Sequence, residues 1–144
     1  MSRSGYCEDS WGDDEGDNWR MIMFRGQVAS AIRGKRGQAF LKELIVALEA
    51  MPEKRLIAEE LIDNGEVCAL GCVGRARGMD LEKLDPENHE GLATAFGIAQ
   101  RLITEIEYEN DETCSTPEHR WEWMHRWAKQ NLTPEKASDA KKES

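Results

Sequence analysis

Residues 38–51, QAFLKELIVALEAM, set Phe40, Leu41, Leu44, Ile45, Leu48 and Met51 at intervals of one, three and four. That spacing follows the 3.6-residue turn of an α-helix and gathers all six side chains on one face. An apolar face of this width has to be covered by other helices. The neighbouring segments supply them. Residues 19–33 carry Met21, Phe24, Val28 and Ile32 at helical spacing, and RGKRG then interrupts, because Gly34 and Gly37 favour a turn over a helix interior. In EVCALGCVGRARG, Val67, Leu70, Gly71 and Gly74 share a face where small residues admit a close neighbour, and Gly78 suits a C-terminal cap. Asp80 opens a short LEKL turn, and Asp85-Pro86-Glu87 leads into the next helix. Residues 91–110 are helical in pattern with a break or bend at Gly97, and Thr116-Pro117-Glu118 opens a last helix ending near Asn131.

Between Pro52 and Gly65 two readings compete. Pro52 can occupy a first helical turn, with Leu56, Ile57, Glu60 and Leu61 in helical order and a stop at Asn64-Gly65. Alternatively RLIAEELI and EVCALGCV are strands around Asn64-Gly65, the strongest short hairpin signal. The helix is preferred, because consecutive Glu59 and Glu60 suit a strand poorly. The expected fold is all-α, a single compact domain of about six helices over residues 19–131, with a short β-hairpin at Asn64-Gly65 as runner-up. An acidic flexible segment at 1–18 and a disordered polar tail at 132–144 flank it.

The 144 residues suffice for one domain with a hydrophobic core. A net charge of −9 argues against a surface that grips nucleic acid everywhere, so any such contact is local. The charge is unevenly spread. Residues 1–18 hold one Arg against six acids, residues 19–52 hold six Lys or Arg against two Glu, and residues 86–112 hold Arg101 against seven acids. No apolar run approaches the ~20 residues that cross a bilayer, and the amino-terminal residues lack the apolar core of a secretory signal, so a cytoplasmic location without membrane contact is expected. Cys7, Cys68, Cys72 and Cys114 then read as thiols. Cys68 and Cys72, even with His89, His119 and His125, lack zinc-finger spacing, and DDEGDN lacks the ligand alternation of a calcium loop; no metal or cofactor is expected. Nucleophile-elbow, metalloprotease and nucleotide-binding motifs are absent, so the chain is not expected to be an enzyme.

Three stretches point to binding. In GLATAFGIAQRLITEI, Ala93 and the turn Gly97, flanked by Leu92, Phe96, Ile98, Ile103 and Ile106, resemble a DNA-binding helix-turn-helix, which would make Gln100, Arg101 and Thr104 base-facing residues. The bland alternative is a packed helical pair serving as scaffold. The glycine-flanked loops IRGKRG and GRARG offer Arg33, Lys35, Arg36, Arg75 and Arg77 to phosphates, or are solvated turns. Against DNA stand the carboxylates Glu105, Glu107, Glu109, Asp111 and Glu112, which repel a phosphate backbone and suit a basic protein partner instead. Trp121, Trp123, Met124 and Trp127 read as core packing.

Taken together, SRSGY, ASAIRGKRGQAFLKEL, MPEKRLIAEEL, VCALGCVGRARG, AFGIA and EIEYENDE resemble a family of uncharacterised proteins encoded by tailed bacteriophages and prophages, over roughly residues 2–131. The resemblance implies a phage or prophage origin and a bacterial cytoplasm. It transfers no activity and no site residues. The leading expectation is a non-catalytic accessory protein that binds nucleic acid through the helix-turn-helix-like unit and the basic loops. The alternative is an acidic inhibitor or adaptor that docks on a host protein, such as a defence protein, through Glu105, Glu107, Glu109 and Asp111; either is compatible with a homodimer.

Overall fold

The computed structural model describes residues 15–133. Six helices occur among them: α1 (Glu15–Arg33), α2 (Lys35–Ala50), α3 (Ala69–Ala76), α4 (His89–Phe96), α5 (Gln100–Glu112) and α6 (Pro117–Gln130). A two-stranded antiparallel hairpin, β1 (Ile62–Asp63) and β2 (Glu66–Val67), precedes α3, and one 3-10 turn covers Leu81–Lys83. None of these helices is long and apolar enough to cross a membrane.

The α2 stripe is buried as its period requires: Phe40, Leu41, Leu44 and Leu48 are almost fully enclosed, and Met51 lies with them. α3 and α6 cover that face, and α5 packs against α1, α3, α4 and α6. α6 runs antiparallel to α2. Trp121 Nε1 donates to Leu48 O near the C-terminal end of α2 (3.2 Å), while Gln38 Nε2 donates to Asn131 O near its N-terminal end (3.1 Å). Met124, Trp127 and Ala128 are buried on α6, and Trp121 and Trp123 are half-buried, in keeping with a packing role. On α1, Val28 and Ile32 are buried; the side chains of Met21 and Phe24 lie outside the described set, as do residues 1–14 and 134–144. Leu132 and Thr133, assigned to the tail from sequence, are held against α2, with the Thr133 N–H on Gln38 Oε1 (2.9 Å).

The interruption at RGKRG is shorter than expected. Gly34 alone is non-helical, and Gly37 lies inside α2, buried where a Cβ would come within 2.0 Å of Ala31 O. Its lack of a side chain lets the two helices meet at a tight corner.

The helix expected from Pro52 does not form, and the hairpin alternative holds in shortened form. Asn64 (φ 54°) and Gly65 (φ 80°) both adopt the positive φ of a type I′ turn. Residues 52–61 are irregular, yet Leu56 and Leu61 are buried. Later elements satisfy this backbone. The Leu56 N–H donates to Pro117 O (3.1 Å), and Arg120 donates to Leu56 O (2.8 Å). The Ile57 N–H donates to Val67 O (3.0 Å), and Asn110 Nδ2 donates to Ile57 O (2.9 Å). The Glu59 N–H, at φ 70°, donates to Asp111 Oδ1 (3.0 Å). Tertiary partners thus replace the hydrogen bonds that a local helix would have made.

Candidate functional site

Arg33 ends α1 and Lys35 and Arg36 begin α2, so the single-residue break at Gly34 puts three exposed cations around one corner. None of the three has an ion pair among the described residues. Gly34 supplies no side-chain cap to α2, and the first turn of α2 holds no acid. The first-turn N–H groups of α2 have no partner within their own helix, but the last carbonyls of α1 stand at the same corner, with Ala31 O and Ile32 O against Gly37, so the positive charge there comes from the three side chains.

The other two loop cations are not there. Arg77 is fixed midway along α2, where Nε and Nη2 donate to the two carboxylate oxygens of Glu43 (2.7 Å each) and Nη1 donates to Phe96 O (3.2 Å). Its guanidinium also lies 5.9 Å from the Phe40 ring centre and 5.8 Å from that of Phe96. The hydrogen bond from Arg77 holds the Glu43 carboxyl below its ordinary range. The sign follows: this bridge stabilises the fold above the ordinary carboxyl pKa and is lost as pH falls through the lowered folded value. Arg75 donates to Gly65 O (3.0 Å) and lines a cleft with Met51, Arg55 and Glu66. Since Met51 caps the far end of α2, this cleft is roughly 24 Å along the helix from Lys35. The cations of the two loops are thus divided among three places.

The helix-turn-helix-like segment bends where the sequence places the bend, with Gly97 at φ 75° between α4 and α5. Gln100 and Arg101 are exposed, and Arg101 Nε donates to Gln27 of α1 (2.7 Å). Thr104, expected to face bases, is buried at 4% exposure, and its hydroxyl donates to Arg101 O (2.9 Å). Four neighbouring helices enclose α5, so the helix has no side broad enough to lie in a major groove.

Of the acidic face expected for a protein partner, Glu107 is buried, Glu105, Glu109 and Asp111 are half-buried, and Glu112 is exposed. Glu107 is fully buried with Oε1 2.9 Å from His89 Nε2, and Glu109 accepts from Trp123 Nε1 (2.9 Å). Asp111 accepts from the Glu59 and Asn110 N–H groups, and Glu105 is half-buried. Another group of exposed carboxylates, Asp80, Glu82, Asp85 and Glu87, lies between α3 and α4, with Glu90 in the first turn of α4.

Cys68 caps α3, its Sγ accepting from the Gly71 N–H (3.3 Å), and burial pushes the Cys72 thiol up to about 11. Cys68 serves the fold as that cap, and the Cys72 thiol, so raised, is a poor nucleophile near neutrality. Among the described residues no three His, Cys, Asp or Glu side chains converge as metal ligands. Sequence reasoning overlooked Asn110 and Arg120, which clamp residues 56–57. Their signal was spacing: Asn110 continues the series Ile103, Ile106, and Arg120 precedes Met124 and Trp127, so each is a polar residue on an apolar stripe. No protein family, curated protein or solved structure matches the chain.

Proposed function

We propose that this chain is a non-catalytic accessory protein, encoded by a phage or prophage, that holds the phosphate backbone of nucleic acid at the α1–α2 corner without reading base sequence. The observation that carries this reading is the set Arg33, Lys35 and Arg36, exposed around an uncapped helix N-terminus. Their charge supplies long-range attraction, and their side-chain N–H groups can bond phosphate oxygens. The burial of Thr104 argues against base reading by α5.

Three phosphate contacts set the magnitude. The logarithm of duplex affinity should fall with the logarithm of salt with a slope near −2.7, about 0.9 per contact, whereas engagement of all six sequence-selected cations would roughly double it, to about −5.4. Fluorescence anisotropy with a labelled duplex between 25 and roughly 200 mM salt measures it. Lys35→Glu with Arg36→Glu should abolish binding, and Arg101→Ala should change it less than Lys35→Ala, with no altered sequence preference. Undetectable binding at the lowest salt, or a slope indifferent to the corner substitutions, overturns the reading.

A second reading, an acidic adaptor for a basic host protein, is favoured by one observation: the four exposed carboxylates between α3 and α4, with Glu90 in the first turn of α4. A basic protein recovered from bacterial lysate, and lost from the Asp85→Lys, Glu87→Lys, Glu90→Lys variant, would support it. Capture unchanged by those substitutions would remove it.

A further inference from the structure

Of the asparagines Asn18, Asn64, Asn88, Asn110 and Asn131, Asn64 alone precedes a glycine, and no aspartate does. An Asn-Gly pair is prone to ring closure, because the glycine nitrogen has no neighbouring side chain to block its approach to the Asn side-chain carbonyl. The hairpin turn leaves both reacting groups accessible. Asn64 and Gly65 are exposed, and a Cβ at Gly65 would meet nothing within 4 Å. Among the described residues the Asn64 side chain makes no hydrogen bond, and Gly65 is held only through its carbonyl, which accepts from Arg75 Nη1 (3.0 Å).

The hairpin itself is slight. Ile62 pairs with Val67 and Asp63 with Glu66, and a two-stranded hairpin of that size is marginally stable without support. Ring closure needs the Asn64 side-chain carbon to come over the Gly65 nitrogen, an approach that the left-handed turn does not hold. Brief opening of so small a hairpin supplies it.

We infer that Asn64 is a self-modifying site whose product releases the hairpin from Arg75 and loosens its seat under α3. The Gly65 nitrogen attacks Asn64 Cγ and forms a new C–N bond. The Cγ–N bond of the side-chain amide breaks, and that nitrogen leaves as ammonia with the proton lost from Gly65. Water then opens the resulting succinimide. Addition at the main-chain carbonyl gives isoaspartate, in which the chain runs through Cβ and Cγ, and addition at the side-chain carbonyl gives aspartate.

Isoaspartate lengthens the turn by one backbone atom, for which the two-residue type I′ geometry has no room. The register of Asp63 with Glu66 is then lost, and Gly65 O no longer stands opposite Arg75. The loss reaches α3, because Leu61, next to β1, accepts from the Cys68 N–H (3.3 Å) and lies against Gly71. The new carboxylate also stands beside Asp63 and Glu66, so like charges oppose re-pairing. Neither step requires the nucleic acid proposed above.

Ageing the purified full-length chain in mildly alkaline buffer tests both steps. Peptide mapping by mass spectrometry reads the first. A gain of one mass unit at Asn64, mainly as isoaspartate, should accumulate about tenfold faster than at Asn88 or Asn131, whose following residues His89 and Leu132 carry side chains. Equal rates at the three positions, or no gain at Asn64, overturn the site. The product is one unit more negative than the formal −9 of the parent, so anion exchange separates it. In the separated product the Ile57 and Cys68 amides, which donate to Val67 O (3.0 Å) and Leu61 O (3.3 Å), should exchange hydrogen roughly tenfold faster than in the parent. Unchanged exchange overturns the release. Asn64→Gly keeps a residue that accepts positive φ and removes the reactive amide, so the same treatment should produce neither the mass gain nor the faster exchange. If this variant ages to the same faster exchange, the loosening has another origin and the release is overturned.

Discussion

Asn110→Ala is expected to lower stability by about 3 kcal/mol, from two backbone groups left unpaired, the buried Ala69 N–H and the half-buried Ile57 carbonyl, at about 1–3 kcal/mol each. Asn110 has no exposed surface; Oδ1 accepts from the Ala69 N–H (3.0 Å), and Nδ2 donates to Ile57 O (2.9 Å) and Asp111 Oδ1 (2.8 Å). The Ala69 N–H is one of the orphan donors at the start of α3, and Ala69 is itself fully buried, so water cannot take over. One side chain thus joins α5, the start of α3 and the irregular strand-like segment at Ile57. Asp111→Ala is the natural comparison. Asp111 accepts from the Glu59 N–H, which belongs to an exposed residue and can turn to solvent, and from Asn110 Nδ2, which keeps its bond to Ile57 O, so a smaller loss of about 1 kcal/mol is expected. Urea unfolding of both variants measures the difference. An Asn110→Ala loss no larger than that of Asp111→Ala would show that residues 56–61 are held by apolar packing and not by this clamp.

That clamp also explains which parts of the molecule could be read from the sequence. α2 and α6 were legible because their apolar residues keep helical phase, and the bend at Gly97 because only a backbone tolerant of positive φ suits it. The segment after Pro52 was misread as helix. Its leucines and isoleucine keep helical order, but the bonds that decide its course come from Asn110, Asp111, Pro117 and Arg120, more than fifty residues away. Local pattern carries no trace of such partners.

The site was misjudged for a different reason. Glu107 was grouped with its acidic neighbours by charge, although its position four residues after Ile103 and three before Asn110 puts it on the inner face of α5. Phase, not charge, sets the direction of a helical side chain. Thr104 follows the same rule. The exposure of Arg33, Lys35 and Arg36 was legible, because a corner between two helices turns long charged side chains outward.

A second large effect is expected at Gly71, where two elements meet backbone to backbone. A Cβ built there lies 2.0 Å from Leu61 O and 3.0 Å from both the Leu61 carbonyl carbon and Val67 Cβ. The 2.0 Å clash is with main chain, so no rotamer change relieves it, and Leu61 O is already committed to the Cys68 N–H (3.3 Å). Gly71→Ala must therefore push α3 off the hairpin by more than an ångström. The gain in helix propensity, at most about 1 kcal/mol, does not offset overpacking of a buried contact, and a net loss of about 3 kcal/mol is expected. Gly26→Ala in α1 provides the opposite sign: nothing lies within 4 Å of its Cβ, so the propensity gain should appear as stabilisation of up to about 1 kcal/mol. Thermal and urea unfolding of the pair distinguish the two contributions. If Gly71→Ala is as stable as the parent, α3 can withdraw from Leu61 at little cost, and the hairpin cannot be what fixes the height of Arg75 and Arg77 along α2. A large loss places that duty on the 2.0 Å approach, since the two arginines end the helix whose start it seats.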